Sequence, residues 1–326
     1  MGGKKFIFIN KSFLIKDKIN KKKLNQSILF ILNKSNLKKD FINAAIKRHK
    51  VIEINLPKNF DTDIIFKTNF NKDLKFINLS DSKIFYKKGI FGISFLKKIK
   101  DFKLNEIKFF PRTYLYKGMI FQQIAKGYFI RPNKFPDFKE SFFKDFSKFI
   151  NILSSLNNKK IKVNRFVKNF KNIKVKDDLN IKILNMCILI LKRKIQSSIN
   201  LSLTHGDLKF EHMYFLNNKL EFVIDWENIG IRSVYFDIFN FFTPWFVKRS
   251  YKYKKLKKFV LNFMDFYTPK LSENLRNNFD FYFAAFALER YIRLHQSRTV
   301  EFDIRAAYKR YYFLFNKMIR EISNEH

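Results

Sequence analysis

Residues 201–224 interrupt a long stretch of helical periodicity with short apolar runs that read as strands, and this interruption constrains the fold more than any other feature. Leu201 to Thr204 is β-like. Met213 to Leu216 and Leu220 to Ile224 flank Asn217-Asn218-Lys219, and an Asn-rich tight turn between apolar runs signals a hairpin. The two strands of a hairpin run in opposite directions, so the loop before its first strand and the residue after its second emerge at the same end. The order of residues therefore brings together Asp207, in the loop His205-Gly206-Asp207, with His212 and Asp225. Two carboxylates with a neutral donor between them suit a divalent cation, and a carboxylate near a hydroxyl suits phosphoryl transfer.

The surrounding chain places this hairpin inside a helical half. Residues 1–57 hold a short apolar strand (Phe6 to Ile9), a lysine-rich helical stretch (Ile19 to Lys50) and a second strand (Val51 to Leu56), an N-terminal extension or first layer. Residues 58–130 form a β-rich lobe. Ile64 to Thr68, Leu74 to Leu79 and Lys83 to Lys88 read as three antiparallel strands with Asn-Lys-Asp and Ser-Asp-Ser turns. A helix over Gly92 to Leu104 follows, then strands at Pro111 to Tyr116 and Met119 to Ile124. Residues 131–326 form a helical lobe, with apolar positions three and four apart over Lys139 to Leu156 and Asp178 to Ile199, and helices from Val234 onward. The expected class is α+β, with a small antiparallel β lobe and a larger helical lobe.

Scarce residue types remove whole reaction classes. None of the eight glycines has the spacing of a Walker A loop or a dinucleotide fingerprint, which disfavours Walker-type NTPases and ordinary Rossmann dehydrogenases. One cysteine, Cys187, permits no intrachain disulfide and no cysteine-based zinc site, and fits a reducing cytoplasm. No signal-peptide pattern opens the chain and no apolar run approaches a membrane span, so a cytoplasmic protein is expected. The net charge of +38 attracts phosphates, nucleic acids and anionic lipid surfaces. The excess is mostly lysine and accompanies abundant Asn, Ile and Phe, a composition that an AT-rich genome also produces.

His205-Gly206-Asp207 with His212, followed by Ile224-Asp225-Trp226-Glu227, Gly230 and Asp237, resembles the aminoglycoside phosphotransferase and choline kinase group of the protein-kinase-like fold. The resemblance is specific over residues 201–240. It implies a bilobal protein-kinase-like fold, ATP as donor and Mg2+ or Mn2+ as metal. Asp207 would be the catalytic base or hydroxyl-orienting carboxylate, and Lys209 would neutralise the transferred phosphate. Asp225 and His212 would bind metal, and Asp237 would support the catalytic loop together with His205. Glycine at 206, where protein kinases carry arginine, favours a small-molecule acceptor. Histidine at 212 replaces the usual asparagine, as in macrolide phosphotransferases and lipopolysaccharide heptose kinases, and imidazole favours Mn2+ over Mg2+ more than an amide oxygen does.

By the same resemblance, Lys87 or Lys88 at the end of the third strand would grip the α and β phosphates. Gln122 and Ile124 on the following hinge strand would read adenine through the backbone. Asp101 and Glu106 are the acids near the helix that would pair with the lysine. The expected function is ATP-dependent phosphorylation of a hydroxyl on a small molecule or surface-glycan sugar. Two rival readings are a catalytically weak pseudokinase or nucleotide-binding regulatory module, and a basic nucleic-acid or membrane-surface binder. No recognition helix or aromatic RNA motif supports specific nucleic-acid binding, whereas the charge permits peripheral contact with an anionic membrane surface.

Overall fold

The computed structural model describes residues 4–9, 28–32, 50–55, 64–67, 74–78, 83–87, 90–116, 119–123, 128–129, 139–171, 178–193, 198–248, 253–292, 315–317 and 319–322. They fall into two compact units. Residues 1–106 and 110–125 belong to the first, and residues 107–109 and 126–326 to the second.

The first unit is built on an antiparallel sheet of eight strands. They are β1 (Lys4–Ile9), β2 (Ile28–Leu32), β3 (Lys50–Asn55), β4 (Ile64–Lys67), β5 (Leu74–Asn78), β6 (Lys83–Lys87), β7 (Thr113–Tyr116) and β8 (Met119–Gln123), in the spatial order β3-β1-β2-β4-β5-β6-β8-β7. Residues 1–57 thus contribute three strands to the same sheet as the later five. One expectation is corrected here. Ile28-Leu-Phe-Ile-Leu, inside the stretch read as helical, pairs with β1 on one side and β4 on the other. Five consecutive apolar residues carry no period that separates strand from helix, and a strand flanked on both sides accepts them all. Apart from Lys50 in β3, the rest of Ile19 to Lys50 lies outside the described residues.

Helix α1 (Ile90–Asp101) connects β6 to β7 and buries Phe95 and Ile99, four residues apart on one face. A short turn of 3-10 helix follows at Leu104–Glu106. There the Asn105 amide accepts the Thr113 N–H at 3.0 Å and donates to the Thr113 carbonyl at 2.8 Å, which fixes the start of β7.

The second unit is mainly helical, with α2 (Lys139–Ser155), α3 (Val163–Lys171), α4 (Asp178–Lys192), α5 (Phe236–Lys248), α6 (Tyr253–Tyr267) and α7 (Pro269–Ala287). Its core is unusually aromatic. Phe142, Phe146, Phe149 and Leu153 line one side of α2, and the Phe142 ring meets Phe146, Phe210, Phe215 and Phe241 at centroid distances of 5.2–5.8 Å. Phenylalanines at this spacing pack edge to face or offset, adding to the area they bury. Phenylalanines thus make up much of the described core, and that core clamps the loop carrying Phe210.

Two three-stranded antiparallel sheets sit in this unit. One joins β10 (Lys159–Lys162), β11 (Ser198–Thr204) and β14 (Gly230–Ser233); the other joins β9 (Tyr128–Phe129), β12 (Met213–Leu216) and β13 (Lys219–Val223). Helix α4 ends at Lys192, so Ser198 and Ile199 belong to β11 and not to the helix expected through Ile199. The β12–β13 hairpin turns at Asn217 and Asn218, both left-handed (φ 49° and 59°), the arrangement that two-residue turns require and that Asn tolerates. Among the described residues no helix is long and apolar enough to cross a membrane.

Candidate active site

The loop after β11 is held by an acid from the next helix. Asp237, in the first turn of α5 and 3% exposed, accepts the backbone N–H of His205 at 2.6 Å and of Gly206 at 2.9 Å. Burial pushes its carboxyl up to about 6, against the pull of these two amides and of Arg232. On the same helix, the Asn240 side chain donates to the Leu208 carbonyl at 3.2 Å.

Gly206 occupies φ +85°, a region most side chains avoid. A Cβ there would stand 2.3 Å from the Asn228 carbonyl oxygen and 2.6 Å from Arg232 Nη1. Arg232 is itself committed, donating to Thr204 Oγ1 and to the Asn228 carbonyl, both at 2.7 Å.

Two histidines tie the loop to the far side of the hairpin. His205 Nε2 lies 2.8 Å from the Ile224 carbonyl, so it carries the proton and donates, and Nδ1 faces the Asp207 N–H at 3.4 Å. Burial, then the neighbouring His212, pull the His205 pKa down to about 4, which keeps this ring neutral. His212 Nδ1 lies 2.9 Å from the Asp207 carbonyl, so Nδ1 carries the proton in the neutral ring. Its Nε2 lone pair then points at Asp225 Oδ2, 3.3 Å away. Two acceptors in that position attract one another only with a proton or a metal cation between them.

Asp225 adopts a left-handed conformation (φ 66°, ψ 47°), which Asp and Asn enter more readily than other L-residues. The bend ends β13 and swings the carboxylate toward His212. Ligand atoms of Asp207, His212 and Asp225 all lie within 4.8 Å of one another, and an imidazole with two carboxylates fits a divalent cation.

Both Asp207 oxygens have cationic partners. Oδ2 accepts from Lys209 Nζ at 2.7 Å, and Oδ1 from Arg290 Nη2 at 2.9 Å. Burial alone would raise this carboxyl, but Arg290 and Lys209 hold it at about 2. Arg290 was not legible as a site residue. The available signal was the pair Glu289-Arg290 directly after the apolar run Phe281 to Leu288, since charges in an apolar wall persist only when paired.

The residues expected to bind nucleotide belong to the first unit. Lys87 closes β6 opposite Met119, while Lys88 and Ile124 lie outside the described residues. Gln122 sits between Ile84 of β6 and Thr113 of β7, and its side chain donates to Thr113 Oγ1 at 3.1 Å. Its strand is paired on both sides, with β6 and with β7. Asp101 and Glu106 are exposed. A cavity of about 390 Å3 lined by Asn200, Leu201, Tyr235 and Asn274 lies toward the other end of β11 and shares no residue with the His205–Asp207 loop.

No family model matches the chain, and no curated protein matches it in sequence. Solved structures do resemble it. The amicoumacin kinase hAmiN, in complex with AMP-PNP and Ca2+, has a TM-score of 0.51 at 12% identity, covering 78% of this chain and 88% of that one. A thermostable aminoglycoside phosphotransferase APH(4)-Ia, in ternary complex with AMP-PNP and hygromycin B, has a TM-score of 0.53 at 10% identity, covering 81% and 95%. A protein of Ralstonia eutropha described as a candidate aminoglycoside phosphotransferase has a TM-score of 0.52 at 14% identity, covering 88% and 98%. The chain therefore has the bilobal, kinase-like α+β fold of the aminoglycoside phosphotransferases.

Two outcomes follow from the loop's packing and charge. Gly206→Ala should lower unfolding free energy by at least about 1–3 kcal/mol, because both the φ and the Asn228 contact oppose a Cβ; urea unfolding measures it. Asp207 has a depressed pKa, so its stabilising contribution is present above the unfolded value of 3.8 and is lost as pH falls toward 2. The wild type should therefore lose about 2 kcal/mol more than Asp207→Asn between pH 4 and pH 2, as read from paired denaturant curves. Asp237 acts in the opposite sense, its ionisation costing stability as pH rises from about 4 to 6.

Proposed function

We propose that this chain is a divalent-metal-dependent kinase that transfers the γ-phosphoryl group of ATP to a hydroxyl of a small molecule or saccharide. The observation that carries this reading is the convergence of Asp207, His212 and Asp225 within 4.8 Å on a scaffold with the aminoglycoside phosphotransferase fold. His212 Nε2 and an Asp225 oxygen would hold the cation. A divalent ion bound there supplies positive charge that offsets the phosphates. An imidazole ligand suits Mn2+ better than Mg2+, so Mn2+ should serve at least as well.

The remaining work falls to the loop. Asp207 accepts a hydrogen bond from the acceptor hydroxyl and orients it. As the new oxygen–phosphorus bond forms and the bond to the ADP oxygen breaks, the hydroxyl proton passes to Asp207. A carboxylate this acidic is a weak base, so its main contribution is orientation, and the proton moves late, as suits a loose transition state. Lys209, whose side chain is 43% exposed, would turn from Asp207 toward the transferred phosphoryl group. In the first unit, Lys87 or Lys88 would contact the α and β phosphates and Ile124 would lie beside the base. Lys209 and Arg290 together offset the charge of Asp207. The acceptor hydroxyl belongs to a small molecule or saccharide, with ATP supplied from the cytoplasm.

The test separates metal binding from chemistry. Asp225→Asn preserves the left-handed backbone, which Asn tolerates, but removes the charge. It should abolish the strengthening of ATP binding by Mn2+ or Mg2+ in calorimetry. Asp207→Asn should lower phosphate transfer by about 10²–10⁴-fold while ATP affinity stays within a small factor. Metal-dependent ATP binding that survives Asp225→Asn would refute the metal site.

A further inference from the structure

Helix α7 passes into a π-helical turn at Leu288–Ile292, and its two charged residues point into different walls. Glu289 is 3% exposed, and its oxygens accept the Ser233 N–H at 3.1 and 3.2 Å and the Ser233 hydroxyl at 2.7 Å. Ser233 lies in β14, opposite Leu201 of β11, so this acid pins the turn to the strand pair that leads into the catalytic loop. Arg290 then reaches the loop itself. Its Nη2 donates to Asp207 Oδ1 at 2.9 Å, and its Nη1 to the Gly206 carbonyl at 3.3 Å. π-turns are uncommon and recur at functional sites, because the inserted residue redirects the side chains that follow.

The loop backbone has anchors besides the Arg290 contact to the Gly206 carbonyl. Asp237 holds two of its amides, Asn240 holds the Leu208 carbonyl, and the two histidines tie it to Ile224 and Asp225. Arg290 adds control of the Asp207 carboxylate. The other cation on that carboxylate, Lys209, is 43% exposed, whereas Arg290 is 16% exposed. An exposed lysine is a mobile point charge, while a guanidinium is a rigid planar fork.

We infer that Arg290 is a positioning residue for phosphoryl transfer, holding Asp207 in place while Lys209 turns to the phosphate. The inference rests on the kinase reading above. An ionised carboxylate offers about four lone-pair sites, and Arg290 occupies one on Oδ1, which leaves capacity for the acceptor hydroxyl. Through the transfer Arg290 neither gains nor loses a proton. The hydroxyl oxygen bonds to phosphorus, the bond to ADP breaks, and the proton moves to Asp207.

Arg290→Gln, Arg290→Lys, Asp207→Asn and the double variant Asp207→Asn/Arg290→Gln test this, with ADP release measured with Mn2+ and Mg2+. The acceptors are water and a mixture of neutral sugars and sugar phosphates. Arg290→Gln should lower kcat by about 10²-fold, the scale of an ångström-sized misplacement, with KM for ATP within about threefold. Arg290→Lys should recover part of the loss, and adding Arg290→Gln to Asp207→Asn should cost nothing further, because Arg290 acts through Asp207. Wild-type kcat in Arg290→Gln would overturn the inference, as would an equal loss in the Asp207→Asn background, or a loss that tracks weakened ATP binding and a lowered Tm. No ADP release from the wild type under any condition would instead refute the kinase reading, and the inference with it.

Discussion

The site depends on one buried carboxylate and two backbone amides. Asp237 accepts the N–H groups of His205 and Gly206 across a separation of about thirty residues, joining the start of α5 to the end of β11. A buried acid is costly, and two short hydrogen bonds with Arg232 nearby offset that cost. The loop conformation depends on this clamp, because Gly206 takes a positive φ and no regular structure supports the chain there. Once the two amides are fixed, the direction in which Asp207 leaves the loop is fixed as well.

From that point the polar groups form a chain. The Ile224 carbonyl accepts a hydrogen bond from His205 Nε2, His205 Nδ1 faces the Asp207 amide, and the Asp207 carbonyl accepts from His212 Nδ1. The bonds thereby fix which nitrogen of each ring faces a carbonyl, and the last in the series turns its Nε2 toward Asp225. The aromatic core supports the network from behind. Trp226 stands 4.9 Å from the His205 ring, and Phe210, at the start of the turn that carries His212, is locked against Phe142 and Phe241.

The overall charge of +38 says little about the site, whose cations are selected by position. Lys209 is one of many lysines and is distinguished only by lying two residues after Asp207. Arg290 is distinguished by burial, since an arginine in an apolar helix must find an acceptor. Glu289 beside it meets the same requirement by a different route, through Ser233. Adjacent opposite charges thus serve two purposes, one anchoring the turn and the other reaching the loop.

Local chemistry made part of this legible in the sequence. Asn217-Asn218 encodes a tight hairpin because Asn tolerates left-handed backbone, and a hairpin necessarily returns Asp225 to the end where Asp207 and His212 lie. The helices α2 and α4 carry their own apolar period. Strands lacking that alternation were another matter. β10 is Lys-Lys-Ile-Lys and β2 is Ile-Leu-Phe-Ile-Leu, and each is a strand because a neighbour offers its hydrogen bonds. The placement of β8 between β6 and β7 is likewise a property of the sheet order and not of that strand's own residues. Arg290 lies 83 residues from the carboxylate it binds. The sequence alone determined the residues within a few positions of a turn, where backbone preference and spacing are local properties. The tertiary structure decided which distant charge meets Asp207, because that depends on how helices and strands pack and not on any pattern along the chain.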